Sequence, residues 1–267
     1  SLTGRAWAAR PAAPDLVRRH QHALGLSEPL ARALASRGVG PEEGETFLNP
    51  TLKALFPDPS SFRDMDRAAE ILVDALVRGR SMVVFADYDV DGAASAAQIV
   101  RWMRAMGREV PVYIPDRVTE GYGPSPKVFH ALKDRGADLV ITLDCGAAAV
   151  DALEAARTHE VMIDDLDLAA LGAVCDVTAL TGFNRAIAAQ GLKVMSRWAN
   201  PGLKALAGIG KVSGAATTFH AGFILGPRIN AGGRIGRSDL GARLLSTDDP
   251  AEAESLAAQL DELNGQR

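Results

Sequence analysis

From residue 81 onward the chain alternates short, uninterrupted apolar runs with longer stretches whose apolar residues recur every three or four positions. The runs at 81–86 (SMVVFA), 110–114 and 138–143 are of strand length. Each is followed by a segment of helical spacing, at 93–106, 125–135 and 148–158. Strands without polar alternation are covered on both faces, so the pattern predicts an α/β fold: a parallel sheet flanked by helices. Residues 1–65 read as short helices and loops, with helical spacing at 15–24, 29–36 and 42–47 and prolines at 41, 50, 57 and 59 between them. An amphipathic helix over 64–79, with Ala68, Ile71, Leu72, Ala75 and Leu76 on one face, leads into the first strand. Beyond residue 164 the spacing predicts helices at 164–174, 184–197, 201–207, 238–245 and 250–264. Between them, 208–218 reads as a small-residue loop, and 219–225 as a strand entering a turn at Gly232-Gly233. The expected organisation is a helical extension over 1–65, an α/β domain over 66–235 and a helical connector over 236–267.

In a parallel sheet the chemistry gathers at the carboxyl ends of the strands. Here the first strand ends in Asp87-Tyr88-Asp89-Val90-Asp91-Gly92 and the third in Asp144-Cys145-Gly146. Three alternating carboxylates with a fourth nearby repel one another unless a cation offsets them, and an all-oxygen set suits Mg²⁺ or Mn²⁺. A single aspartate there would be an ordinary helix cap; the group points to metal. After the second strand come Arg117 and Gly121-Tyr122-Gly123, a guanidinium, a ring and open backbone that suit a phosphate and a base.

Composition narrows the classes. A net charge of −4 excludes a protein that coats duplex DNA through bulk positive charge, so any grip on nucleic acid must be local. No apolar run is long enough to cross a bilayer. The two cysteines, Cys145 and Cys175, lie in apolar segments and read as reduced, buried thiols, from which a cytoplasmic location is expected. The opening Ser1-Leu2-Thr3 lacks both a Met and a signal peptide, so processing or trimming is expected. There is no G-x-x-x-x-G-K-[ST] loop, G-x-S-x-G elbow or C-x-x-C pair.

The motifs carry a resemblance. VVFADYDVDGAASAA (83–97), VYIPDRVTEGYGPS (112–125), VITLDCG (140–146), LGAVCDVTALTGFNRAIAAQGLKVM (171–195) and LGPRINAGGR (225–234) resemble successive blocks of RecJ-type proteins of the DHH phosphoesterase family. The resemblance implies a parallel-sheet DHH core over 66–235 acting as a metal-dependent 5′-to-3′ exonuclease on single-stranded DNA in repair and recombination. It implies two Mn²⁺ or Mg²⁺ ions held by Asp87, Asp89, Asp91, Asp144 and Asp176, with Asp89, Asp91 and Asp144 catalytic. Asp176 lies in an apolar stretch where an unpaired carboxylate would be costly. Substrate contacts are expected from Arg117, Tyr122, Gly123, Arg228, Asn230, Gly232, Gly233 and Arg234, more weakly from Arg185 and Arg237. A helicase and a single-strand-binding protein are partners compatible with that role, and no membrane is involved.

The sequence departs from the family at one place. The Asp-His-His motif itself is absent: Arg157-Thr158-His159-Glu160 runs directly into Val161-Met162-Ile163-Asp164-Asp165. A missing segment of several tens of residues is therefore expected near 159–164, either deleted or left out. The last residues resemble the connecting helix that precedes a second, DHHA1, domain. Two other functions stay open: a phosphodiesterase of short oligonucleotides, which the PRINAGGR block opposes, and a non-catalytic single-strand-binding relative, which the absent histidines favour and the five aspartates oppose.

Overall fold

The computed structural model of the chain describes residues 4, 8, 10–61, 65–145 and 166–267. They form two compact units, Ser1–Leu55 and Phe56–Arg267. The first holds α1 (Pro14–Leu24), α2 (Glu28–Ala35), α3 (Pro41–Leu48) and the short α4 (Leu52–Leu55). Proline opens each of the first three within its first turn, where a missing N–H costs nothing. Val17, Ala31 and Ala35 form their core. Beside it the fully buried His20 ring bonds the Val39 carbonyl through Nε2 at 2.8 Å.

The second unit begins with α5 (Met65–Val77) and the sheet: β1 (Met82–Ala86), β2 (Val112–Tyr113) and β3 (Leu139–Leu143). The strands are parallel in the order β2-β1-β3. The helices α6 (Val90–Ala105) and α7 (Pro126–Asp134) follow β1 and β2 as crossovers. Side-chain alternation along β1 divides the core. Met82, Val84 and Ala86 join the large cluster with α6, while Val83 and Phe85 pack on Val128 and Leu132 of α7. The second strand pairs over only two of the five residues expected, Val112 and Tyr113.

The remainder is helical: α8 (Leu166–Cys175), α9 (Gly182–Met195), α10 (Pro201–Ile209), a π-helical segment (His220–Leu225), α11 (Gly226–Ile235), α12 (Leu240–Ser246) and α13 (Pro250–Gln266). The strand expected at 219–225 is therefore a helix, and so is the turn expected at Gly232-Gly233. The buried residues Ala221, Leu225 and Ile229 recur every four positions, a helical stripe that a short apolar run conceals. Pro227 sits within the first turn of α11, where it is tolerated. Helix 148–158 and the expected gap near 159–164 lie outside the described residues. Among the described residues, no helix is long and apolar enough to cross a membrane.

Candidate metal centre

Strand register builds the site. Ala86 of β1 pairs with Leu143 of β3, so the next residue on each strand, Asp87 and Asp144, leaves the sheet at the same edge. The chain after Asp87 must turn at once into α6. Asp89 is the N-cap of that helix, its side chain accepting from the Gly92 N–H at 3.4 Å. Gly92 makes the turn possible: a Cβ there would lie 2.4 Å from the Asp87 carbonyl oxygen. Asp144 takes φ +55°, a left-handed conformation that Asp tolerates better than most residues. The result is a cluster in which one oxygen from each of Asp87, Asp89 and Asp144 lies within 4.8 Å of the others.

Asp87 is 2% exposed, and its buried Oδ1 has no hydrogen-bond partner among the described residues. Burial pushes its carboxyl up to about 6, partly offset by the Tyr88 N–H, with Asp89 adding repulsion and Arg117 opposing it. Burial, then the Asp89 carboxyl, raises Asp91 to about 8. Asp144 is exposed along one side, yet burial of its remainder and then the Asp89 carboxyl raise it to about 7. Carboxyls held above their usual range by burial, and then by one another's negative charge, have the electrostatics expected of a cation site. The donor set, all carboxylate oxygen and one of them orphaned, fits a hard divalent ion.

Two expected substrate contacts are brought to this edge. The Arg117 guanidinium lies over the Tyr88 ring, 5.2 Å from its centroid. Tyr122 is 68% exposed, and its hydroxyl is raised by burial and then by the negative field of Asp87, Asp144 and Asp89. The loop carrying both is pinned by Asp116, whose carboxylate accepts from the Val118 and Thr119 N–H groups at 2.9 Å. Gly123 is buried with φ +75°.

The other residues are placed differently. Asp176 is exposed, one step past the end of α8, so the burial cost expected of it does not arise. It shares with Asp91 a cleft of about 270 Å³, lined also by Ser95, Gln98 and Thr178. Arg228 is engaged within the fold: its Nε bonds Asp261 at 2.8 Å and its Nη1 the Ile224 carbonyl at 2.7 Å. Gly232 and Gly233 serve close packing rather than a turn. A Cβ on Gly232 would meet Leu260 at 2.7 Å, and one on Gly233 would meet the Tyr88 carbonyl at 2.6 Å. Asn230, on the same helix, has a buried Oδ1 without a partner among the described residues. Arg234 is exposed, Arg237 pairs with Asp239 at 2.9 Å, and Arg185 is half-buried on α9. Burial first, and then the nearby aspartates, push the free thiols of Cys145 and Cys175 up to about 12, so both stay protonated. Sequence reasoning does not single out Tyr88; its contact with Gly233 links the 225–234 block to the aspartate turn.

Residues 81–169 match the DHH family, N-terminal domain. The chain is 31% identical to the single-stranded-DNA-specific exonuclease RecJ of Bacillus subtilis (strain 168), over 95% of this chain and 39% of that protein. It is also 31% identical to the RecJ of Thermus thermophilus, over 90% of this chain and 45% of that one. The chain thus spans less than half the length of these relatives. Among solved structures, the Thermus thermophilus RecJ in complex with Mn²⁺ superposes with a TM-score of 0.76 at 27% identity, over 97% of this chain and 45% of that one. An exonuclease RecJ bound to manganese superposes at 0.63 with 30% identity, over 75% of this chain and 65% of that one.

Proposed function

We propose that this chain, whose residues 81–169 match the DHH family's N-terminal domain, is the catalytic core of a divalent-metal-dependent exonuclease acting 5′ to 3′ on single-stranded DNA. One observation carries the reading: a buried, unpartnered oxygen of Asp87 within a three-carboxylate cluster where two adjacent parallel strands end. The manganese- and magnesium-bound RecJ structures support the choice of metals. So does the donor set, which lacks any soft ligand.

Two such cations supply, when bound, the Lewis acidity that activates water and offsets charge on the scissile phosphate. Asp87, Asp89, Asp91 and Asp144 would hold them, with Asp176, which lines a cleft together with Asp91, as a further ligand. Asp89, Asp91 and Asp144 would be the catalytic carboxylates. Arg117 offers its guanidinium to a phosphate at the rim, and Tyr122 a ring for a base. Gly123 lets the loop approach closely. On α11, Arg234 faces solvent and suits a phosphate; Asn230 has hydrogen-bonding capacity to spare; Gly232 and Gly233 keep the helix against the site. Arg228 contributes by bracing α11 through Asp261. A role in repair and recombination, a cytoplasmic setting and work beside a helicase and a single-strand-binding protein belong to the same proposal.

The test uses 5′-labelled single-stranded DNA, duplex DNA and a dinucleotide, each with Mn²⁺ or EDTA. Degradation of long single strands only with metal is the expected result. Preference for the dinucleotide would reassign the chain to short-oligonucleotide hydrolysis, and binding without cleavage to a non-catalytic role. Asp144→Ala is expected to lower cleavage by at least about 10³-fold while circular dichroism and melting stay those of a folded protein. Normal turnover by that variant would remove Asp144 from the site.

A further inference from the structure

Residues 218–235 form one continuous helical stretch, and two aromatic rings, Phe219 just before its π-helical segment and Phe223 within it, lie outside the hydrophobic core. Phe219 and Phe223 are 59% and 73% exposed, yet they stack on each other with centroids 5.5 Å apart and planes at 22°. The His220 ring stands edge-on to Phe219 at 6.2 Å, held by the Thr217 N–H, which donates to its Nδ1 at 3.2 Å. The inner side of the same helix is committed. Ala221, Leu225 and Ile229 are fully buried, and Gly222 and Gly226 lie against Val174 and Cys175 of α8. Two large apolar rings are thus presented outward from a rigid backbone, next to the helix end that carries Asp176. Single π-helical turns of this kind recur at functional sites.

We infer that Phe219 and Phe223 form a base-stacking platform for the single-stranded DNA substrate, set off from the hydrolytic centre along one helix. The inference rests on the proposed exonuclease reading. From Phe223 the helix runs about 15 Å to Gly233, which touches Tyr88 between Asp87 and Asp89. A strand held at the cluster therefore passes the rings a few nucleotides away. Phenyl faces accept any base, as a nuclease without sequence preference requires, and their rigid stacking leaves little side-chain entropy to lose. The immediate surroundings fit a nucleic acid better than a protein partner: exposed Thr217 and Thr218 and half-buried His220 flank the rings rather than an apolar collar. A platform of this kind would favour long single strands over dinucleotides, which end before they reach it.

The test measures binding of an oligonucleotide carrying 2-aminopurine at successive positions to the full chain in EDTA. Wild type is expected to quench the fluorophore at one or two adjacent positions. Phe219→Ala/Phe223→Ala is expected to lose that quenching and weaken binding by roughly 5- to 30-fold, with Phe219→Tyr/Phe223→Tyr restoring both. Unchanged affinity and quenching in the alanine double variant would overturn the platform. So would a change confined to oligomeric state in light scattering, which would make the rings a contact between copies. Parallel cleavage with Mn²⁺ separates the two readings. If stacking is lost in the variant but neither protein cleaves, the exonuclease proposal fails; if both cleave and bind alike, only the platform does.

Discussion

Asp87 shows how one side chain points to a cation. A carboxylate with 2% exposure and an oxygen unpartnered among the described residues is costly when ionised, and burial accordingly pushes it up to about 6. Without metal, Asp87→Asn is expected to stabilise the protein at pH 8 by on the order of 1–3 kcal/mol, read by urea denaturation in EDTA. Destabilisation would mean that the charge has an unseen partner. The pH dependence follows with a definite sign. Asp87, Asp91 and Asp144 are raised from 3.8 to about 6, 8 and 7. Between pH 4 and 8 the unfolded chain gives up these protons before the folded one does, so metal-free stability falls as pH rises through that window. Melting in EDTA should decline from pH 5 to 8 in wild type, with a shallower decline in Asp91→Asn; a steeper one contradicts the assignment. Mn²⁺ competes with the same protons, so its apparent affinity should weaken as pH drops from 8 to 6.

At the scale of elements, legibility depends on period. The alternation of β1, α6, α7 and β3 is readable because buried parallel strands and amphipathic helices have distinct signatures, and the acidic edge follows once the strands are placed. Register completes it: Asp144, 57 residues beyond Asp87, is carried to the same edge by the Ala86–Leu143 pairing. The run at 219–225 reads as a strand because seven residues of mostly apolar type do not fix a period, and the decisive four-residue spacing extends on to Ile229. Asp176 misleads for a related reason. Composition around it is apolar, but α8 ends at Cys175 and delivers the carboxylate to solvent. The glycines of α11 are legible as necessary but not in purpose, since their close neighbours, Tyr88 and Leu260, are distant in sequence. Gly233→Ala brings a methyl to within 2.6 Å of the Tyr88 carbonyl. It is expected to cost about 1–3 kcal/mol in denaturation and to weaken Mn²⁺ binding, because Tyr88 lies between two of the aspartates. Unchanged metal affinity would separate the two blocks.

The whole molecule is acidic, at −4, and would repel DNA except where a local basic group such as Arg117 stands beside the cluster. The affinity for single strands should therefore depend weakly on salt, with a log–log slope no steeper than about −3, in keeping with a handful of phosphate contacts. A steeper slope would call for a basic surface that composition gives no sign of. Every residue assigned to the site lies in the unit Phe56–Arg267. That unit is expected to hold a cation at the carboxyl edge of its sheet, and the decisive experiment is Mn²⁺ titration of the full chain followed by electron paramagnetic resonance at pH 8. Wild type is predicted to remove free Mn²⁺ from solution at stoichiometric protein, and Asp87→Asn to remove little while remaining folded. Equal binding by the two proteins, or none by wild type, would contradict the account.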